Sequence, residues 1–99
     1  MAGQIYDLWM SKPTEAFYQL SDEQRGKLFA KGEEALANVG GKTVIGCSAP
    51  WSSDQFLSWG VEEYPDFAAA QRHAELLREL TWHRYFTGTV ILGIKWGDS

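Results

Sequence analysis

Residues 56–80 read FLSWGVEEYPDFAAAQRHAELLREL, and their hydrophobic period changes in mid-run. From Phe56 to Tyr64, Leu57, Trp59 and Val61 alternate with Ser58, Gly60 and Glu62. That two-residue period marks a strand whose two faces differ in character. Pro65-Asp66 interrupts it, and Asp66 suits the cap of a helix. Beyond the interruption, Ala69, Ala70, His73, Leu76, Leu77 and Leu80 share one face of a helical wheel. Gln71, Glu75, Arg78 and Glu79 fall opposite, so this helix is amphipathic. It is expected to run to Thr81 or Trp82. Gly88 then allows the turn into a last strand, Thr89 to Trp96.

Working back from this segment, Ser21 with Gln24 three residues later forms a capping box, and Asp22 and Glu23 suit the positive end of a helix. Leu28, Phe29, Gly32, Ala35, Leu36 and Val39 recur at three- and four-residue spacing, and Gly40-Gly41 stops the helix. Gly32 lowers helix propensity inside that stripe, so a close approach by a neighbour is the expected compensation. Thr43 to Ser48 reads as a strand, and Ala49 to Gln55 as a loop. Ile5 to Met10 reads as the first strand, closed by Pro13. From Pro13 to Leu20 a short helical turn would point Phe17 and Leu20 inward.

The order is therefore strand, helix, strand, strand, helix, strand. This predicts an α+β, ferredoxin-like βαββαβ fold, with a four-stranded antiparallel sheet and both helices on one face. Residues 1–99 are expected to form one domain, since 99 residues bury a single modest core. The strands carry apolar residues on both faces, notably Val90, Leu92, Ile94 and Trp96 against Ile91. A bare apolar sheet face favours pairing of two copies about a two-fold axis. The expected partner is a second copy of the chain.

Composition narrows the function classes. A net charge of −4 with scattered Lys and Arg argues against duplex nucleic acid and anionic membrane surfaces. No apolar run approaches the length needed to span a bilayer, and no basic n-region precedes an apolar one. Cys47, the only cysteine, makes no intrachain disulfide, which points to a reducing, cytoplasmic setting. Five Trp, four Tyr and five Phe supply core and interface area, and walls for a small organic ligand.

Trp59-Gly-Val-Glu-Glu-Tyr-Pro-Asp-Phe67, closing a strand and opening a helix, and Leu80-Thr-Trp-His-Arg-Tyr-Phe86, ending that helix on aromatic residues, resemble the dimeric α+β barrel superfamily. The resemblance covers nearly the whole chain and is one of pattern. It implies a pairing of two sheets into an α+β barrel, with a ligand pocket between helices and sheet. Relatives include antibiotic-biosynthesis and haem-degrading monooxygenases, muconolactone isomerases and polyketide cyclases. Their range implies oxygenase, isomerase or cyclase chemistry, or ligand binding without catalysis, and fold alone does not choose among them.

His73, mid-way along an apolar helix face, must be hydrogen-bonded where it is buried. It is read either as a neutral imidazole bonded to a carbonyl, Tyr or Ser, or as a catalytic proton-transfer group. Around it, Tyr6, Trp9, Trp59, Glu62 and Tyr85 are candidate substrate-binding residues, with Trp51 as a candidate lid. His83 is read as a cationic helix end suited to the dipole, or as a ligand-contacting residue. In the resemblance His83 also occupies the place of a haem ligand, whereas Tyr6 and Asp7 stand where haem-degrading enzymes have Asn, and His73 near their Trp. No cofactor is therefore expected, with haem as the alternative. Two histidines ten residues apart make a weak metal signal, and no metal site is expected.

Overall fold

The computed structural model describes residues 4–97. In chain order these form β1 (Ile5–Pro13), α1 (Glu15–Tyr18), α2 (Asp22–Asn38), β2 (Lys42–Ser48), β3 (Ser58–Tyr64), α3 (Phe67–Glu79), α4 (Trp82–Tyr85) and β4 (Phe86–Gly93). The strands make one sheet in the order β2-β3-β1-β4, with every neighbouring pair antiparallel. This is the expected βαββαβ arrangement, with two single-turn helices added.

Local chemistry accounts for the helix limits. The Ser21 hydroxyl accepts from the Gln24 amide while the Ser21 amide donates to the Gln24 side chain, closing the capping box of α2. At its far end Gly40 takes a left-handed φ of 75°, and the Gly41 amide donates to the Leu36 carbonyl. The Asp66 carboxylate accepts from the Ala69 amide at 2.8 Å and starts α3. Gly32 has the close neighbour its position calls for: a Cβ there would lie 2.8 Å from the Trp82 ring.

The C-terminal third departs from the sequence expectation. Thr81 adopts the left-handed region, with φ 55°, and ends α3 before the separate turn α4. The Thr14 amide donates to Tyr85 O at 2.9 Å, and the Thr14 hydroxyl donates to Arg84 O at 2.6 Å. These bonds deliver the chain directly into pairing with β1, so β4 spans Phe86–Gly93 and not Thr89 to Trp96. Gly88 makes no turn. It sits inside β4 opposite Ser11, where a Cβ would collide with the Met10 carbonyl oxygen. Likewise β1 continues to Pro13, and β3 starts at Ser58.

The core has two parts. Leu36 of α2, Tyr64 of β3 and Ala70 of α3 form one, with Ile5, Val39 and Ala69 packed against it. The second is aromatic: Phe86 lies 5.1 Å from Phe17, 5.9 Å from Phe29 and 4.7 Å from Trp82, measured between ring centroids. Phe17 is buried as expected, and the Arg25 guanidinium sits 5.0 Å over its ring.

Register divides the strand residues between two faces. Ile5 pairs with Tyr64, Asp7 with Glu62, and Trp9 with Gly60, and directly opposed residues point the same way. Ile5 and Tyr64 pack beneath α2 and α3, so this is the helix-covered face. Tyr6, Leu8, Met10, Trp59, Val61 and Ile91 take the other face with Ile45 and Cys47. Ile45, Trp59 and Ile91 are exposed there. Cys47 is half-buried on this open face and is not part of the core.

Candidate functional site

Strand register creates the chemistry. Asp7 of β1 and Glu62 of β3 are cross-strand neighbours, and Tyr64, two residues beyond Glu62, shares their face. His73 on α3 meets that face from above. The Tyr64 hydroxyl oxygen lies 2.7 Å from His73 Nδ1, 3.3 Å from Glu62 Oε1 and 3.4 Å from Asp7 Oδ2. Tyr64 is 1% exposed and His73 6% exposed, so the centre of the cluster is shut away from water.

A phenol carries one proton, so its three neighbours compete for it. Tyr64 either donates to Nδ1, or donates to a carboxylate while Nδ1–H donates to the phenol oxygen. The cluster thus holds two proton arrangements that differ by one hop along a hydrogen-bonded row.

Burial sets the charge states. It pushes the Glu62 carboxyl up to about 7, and the nearby Asp7 charge adds to the rise. Asp7 is raised by burial as well. Burial and then the two carboxylates push the Tyr64 phenol far above its ordinary value, and burial lowers His73. Near neutral pH the imidazole is therefore uncharged, the phenol keeps its proton, and Glu62 is poised at its midpoint. Two further buried atoms, Asp7 Oδ1 and Trp9 Nε1, have no hydrogen-bond partner. They are one acceptor and one donor on the same face of β1.

Of the sequence candidates, Glu62, His73 and Trp9 share the space between the sheet and the helices. Tyr6 and Trp59 do not join them, because their strand parity turns them to the helix-free face. Trp51 is 87% exposed in the loop between β2 and β3. His83 is exposed on α4, and Tyr85 beside it is half-buried with the Arg84 guanidinium 5.9 Å over its ring. The expected single pocket walled by Tyr6, Trp59 and Tyr85 around His73 is thus dispersed over three surfaces. Sequence reasoning left Asp7 and Tyr64 out of the site. Tyr64 had a signal, sharing strand parity with Glu62, but its contact with His73 and the pairing of Asp7 with Glu62 emerge only in three dimensions.

Two surface depressions flank the sheet and helices. Lys12, Gln55, Phe56, Thr87, Gly88 and Thr89 line one, and Asn38, Val39, Ala68, Ala69, Arg72 and Leu76 line the other. Neither reaches His73 or His83. Haem, which the sequence resemblance implies through His83, does not fit these residues. Trp82 of α4 is held against Phe86 and Gly32, and the Nδ1 of His73 is taken by Tyr64, so neither histidine faces a flat apolar slot. Among the described residues, no three His, Cys, Asp or Glu side chains are placed to hold a metal ion, and no helix is long and apolar enough to cross a membrane.

No family model matches the sequence, and no curated protein matches it either. Solved structures do resemble the fold. The crystal structure of TA0507, described as a candidate chlorite dismutase, superposes with a TM-score of 0.72 at 21% identity over 99% of this chain. The chain spans only 48% of that protein, about half its length. A methylated RPA0582 protein gives a TM-score of 0.61 at 17% identity, covering 99% of this chain and 86% of the other. RPA0582, a protein of unknown function from Rhodopseudomonas palustris, gives 0.61 at 18% identity, with 96% and 85% covered. At such identities the likeness carries architecture and no activity. The chain has the ferredoxin-like α+β fold that the resemblance to the dimeric α+β barrel superfamily implied.

Proposed function

We propose that the chain acts as a homodimer that binds a small apolar or aromatic organic molecule beside the His73–Tyr64 pair and moves a proton to or from it. One observation carries this reading: the row from His73 Nδ1 through the Tyr64 hydroxyl to Glu62 Oε1, at 2.7 and 3.3 Å. A neutral imidazole and a carboxyl near 7 at the two ends of one row suit proton transfer at neutral pH. In this role His73 is the proton-transfer group, Tyr64 the relay, and Glu62 the group that takes up or supplies the proton. The unpartnered Asp7 Oδ1 and Trp9 Nε1 support a polar contact to a ligand on the same face. Such chemistry, of isomerase, cyclase or oxygenase type, needs no bound organic cofactor.

A second reading, ligand binding or an accessory role without catalysis, is favoured by the 6% exposure of His73 and by the two depressions that miss it. Carbon and nitrogen NMR resolves the two. A panel of small aromatic alcohols, ketones and phenols is titrated while the His73 ring and Glu62 carboxyl signals are followed. Proton transfer requires ligand-dependent shifts at both groups and a Glu62 midpoint near neutrality. Shifts confined to the surface depressions, with both groups silent, would remove the catalytic reading.

The dimer is proposed through the helix-free face. Exposed Ile45, Trp59 and Ile91 lie there beside the part-buried Leu8, Met10 and Val61. Burying this face against its own copy would remove apolar surface from water in a chain with a small core. Light scattering is expected to give twice the 11.2 kDa chain mass, and Trp59→Glu to lower it towards the single chain.

A further inference from the structure

We propose that β4 pairs edge to edge with β4 of a second copy, antiparallel across a two-fold axis beside Val90. The inference rests on the homodimer proposed above and states where its seam lies.

The two free edges of the sheet are β2 and β4. Soluble proteins guard such edges with Lys, Pro or bulges, since a bare ladder of amides and carbonyls recruits another strand. The β2 edge is guarded: Lys42 opens it, and its ladder with β3 breaks between Thr43 and Ile45. The β4 edge is not. From Phe86 to Ile94 there is no charged residue and no proline, and the register with β1 runs unbroken from Pro13↔Phe86 to Tyr6↔Gly93. Within that run Val90 is 56% exposed, Ile91 58% and Leu92 48%, so apolar surface shows on both faces of the strand. Apolar residues on both faces are the mark of an interior strand, yet here the strand is outermost.

A second copy is the occupant these features select. Antiparallel pairing of a strand with itself is self-complementary, as a two-fold interface requires. Pairing the whole uncharged run sets Phe86 opposite Ile94 and Val90 opposite its own copy, and leaves Lys95 outside the ladder. Ile91 also belongs to the helix-free face, so the seam is continuous with the apolar surface proposed to meet in the dimer.

Cross-linking tests the seam. Opposed residues in an antiparallel ladder have Cβ atoms about 4.5–5.5 Å apart, close enough for a disulfide. Val90→Cys in a Cys47→Ser background should therefore give a covalent dimer on oxidation. Val90→Lys sets two ammonium groups against each other on the axis and should weaken the dimer about tenfold or more. Val90 is more than half exposed, so both variants should keep the wild-type circular dichroism. A wild-type particle at the 11.2 kDa chain mass would overturn both the seam and the homodimer. A wild-type dimer that Trp59→Glu dissociates, while Val90→Cys stays uncrosslinked and Val90→Lys stays dimeric, would overturn the seam alone.

Discussion

Tyr64 is the residue on which the candidate site turns. Its hydroxyl serves His73 and two carboxylates, and its ring sits in the core with Leu36 and Ala70. Tyr64→Phe keeps the ring but leaves His73 Nδ1 buried without a partner. A loss of about 1–3 kcal/mol is expected in urea unfolding. Glu62 ties stability to pH. Its folded value near 7 stands above the ordinary 4.5, so the folded state binds the proton more tightly. Its contribution is complete below pH 4.5 and is lost as pH rises through 7. Allowing for its partial exposure, about 1–2 kcal/mol should disappear over that window. His73 works in the opposite sense: its lowered value gives stability that is present above the ordinary 6.5 and lost as pH falls through the folded value. Glu62→Gln should leave only the His73 trend. An unfolding midpoint whose difference from wild type is flat across pH 4.5–8 would count against the desolvated carboxyl.

At the scale of elements, α2 depends on its first turn and on one contact in its middle. Ser21→Ala removes both bonds of the capping box through the lost hydroxyl and should cost about 1 kcal/mol. Gly32→Ala has two opposed effects. Helix propensity improves by about 1 kcal/mol, but the new methyl meets the Trp82 ring at 2.8 Å. That ring is held 4.7 Å from Phe86 and has little room to retreat. Overpacking of this kind costs about 1–3 kcal/mol, so a net loss is expected in thermal unfolding, with changed Trp fluorescence. These limits of α2, and the Asp66 cap of α3, were legible in the sequence because each depends on residues within one turn of one another. The end of α3 was not. Leu80 and Trp82 continue an apolar pattern, and only the left-handed Thr81 and the bonds from Thr14 to Arg84 and Tyr85 break it. Those partners lie 70 residues apart, beyond the reach of local periodicity.

For the whole molecule, the division of the sheet into a covered and an open face governs stability and assembly together. One face feeds a small core beneath α2 and α3, while Ile45, Trp59 and Ile91 remain in water on the other. If two chains share that face, folding and association are linked, and the thermal midpoint must rise with protein concentration. Scanning calorimetry over a hundredfold concentration range tests this. A constant midpoint would speak for a chain that folds alone. An apolar open face was foreseeable from the alternation in β3 and the apolar residues of the last strand. The match of Tyr6 and Trp59 to that face, away from His73, required the register.

The sequence by itself determined the kinds of element and their order, since period, caps and breakers act over a few residues. It also determined that a buried His73 needs a partner. Tertiary structure alone decided which partner that is, which carboxylates stand beside it, and where β4 begins. Asp7 and Tyr64 lie 57 residues apart, and a one-residue slip in the β1–β3 register would turn Asp7 to the opposite face. Burial then does the rest, because removing water from that face is what moves Glu62 to about 7 and keeps His73 uncharged.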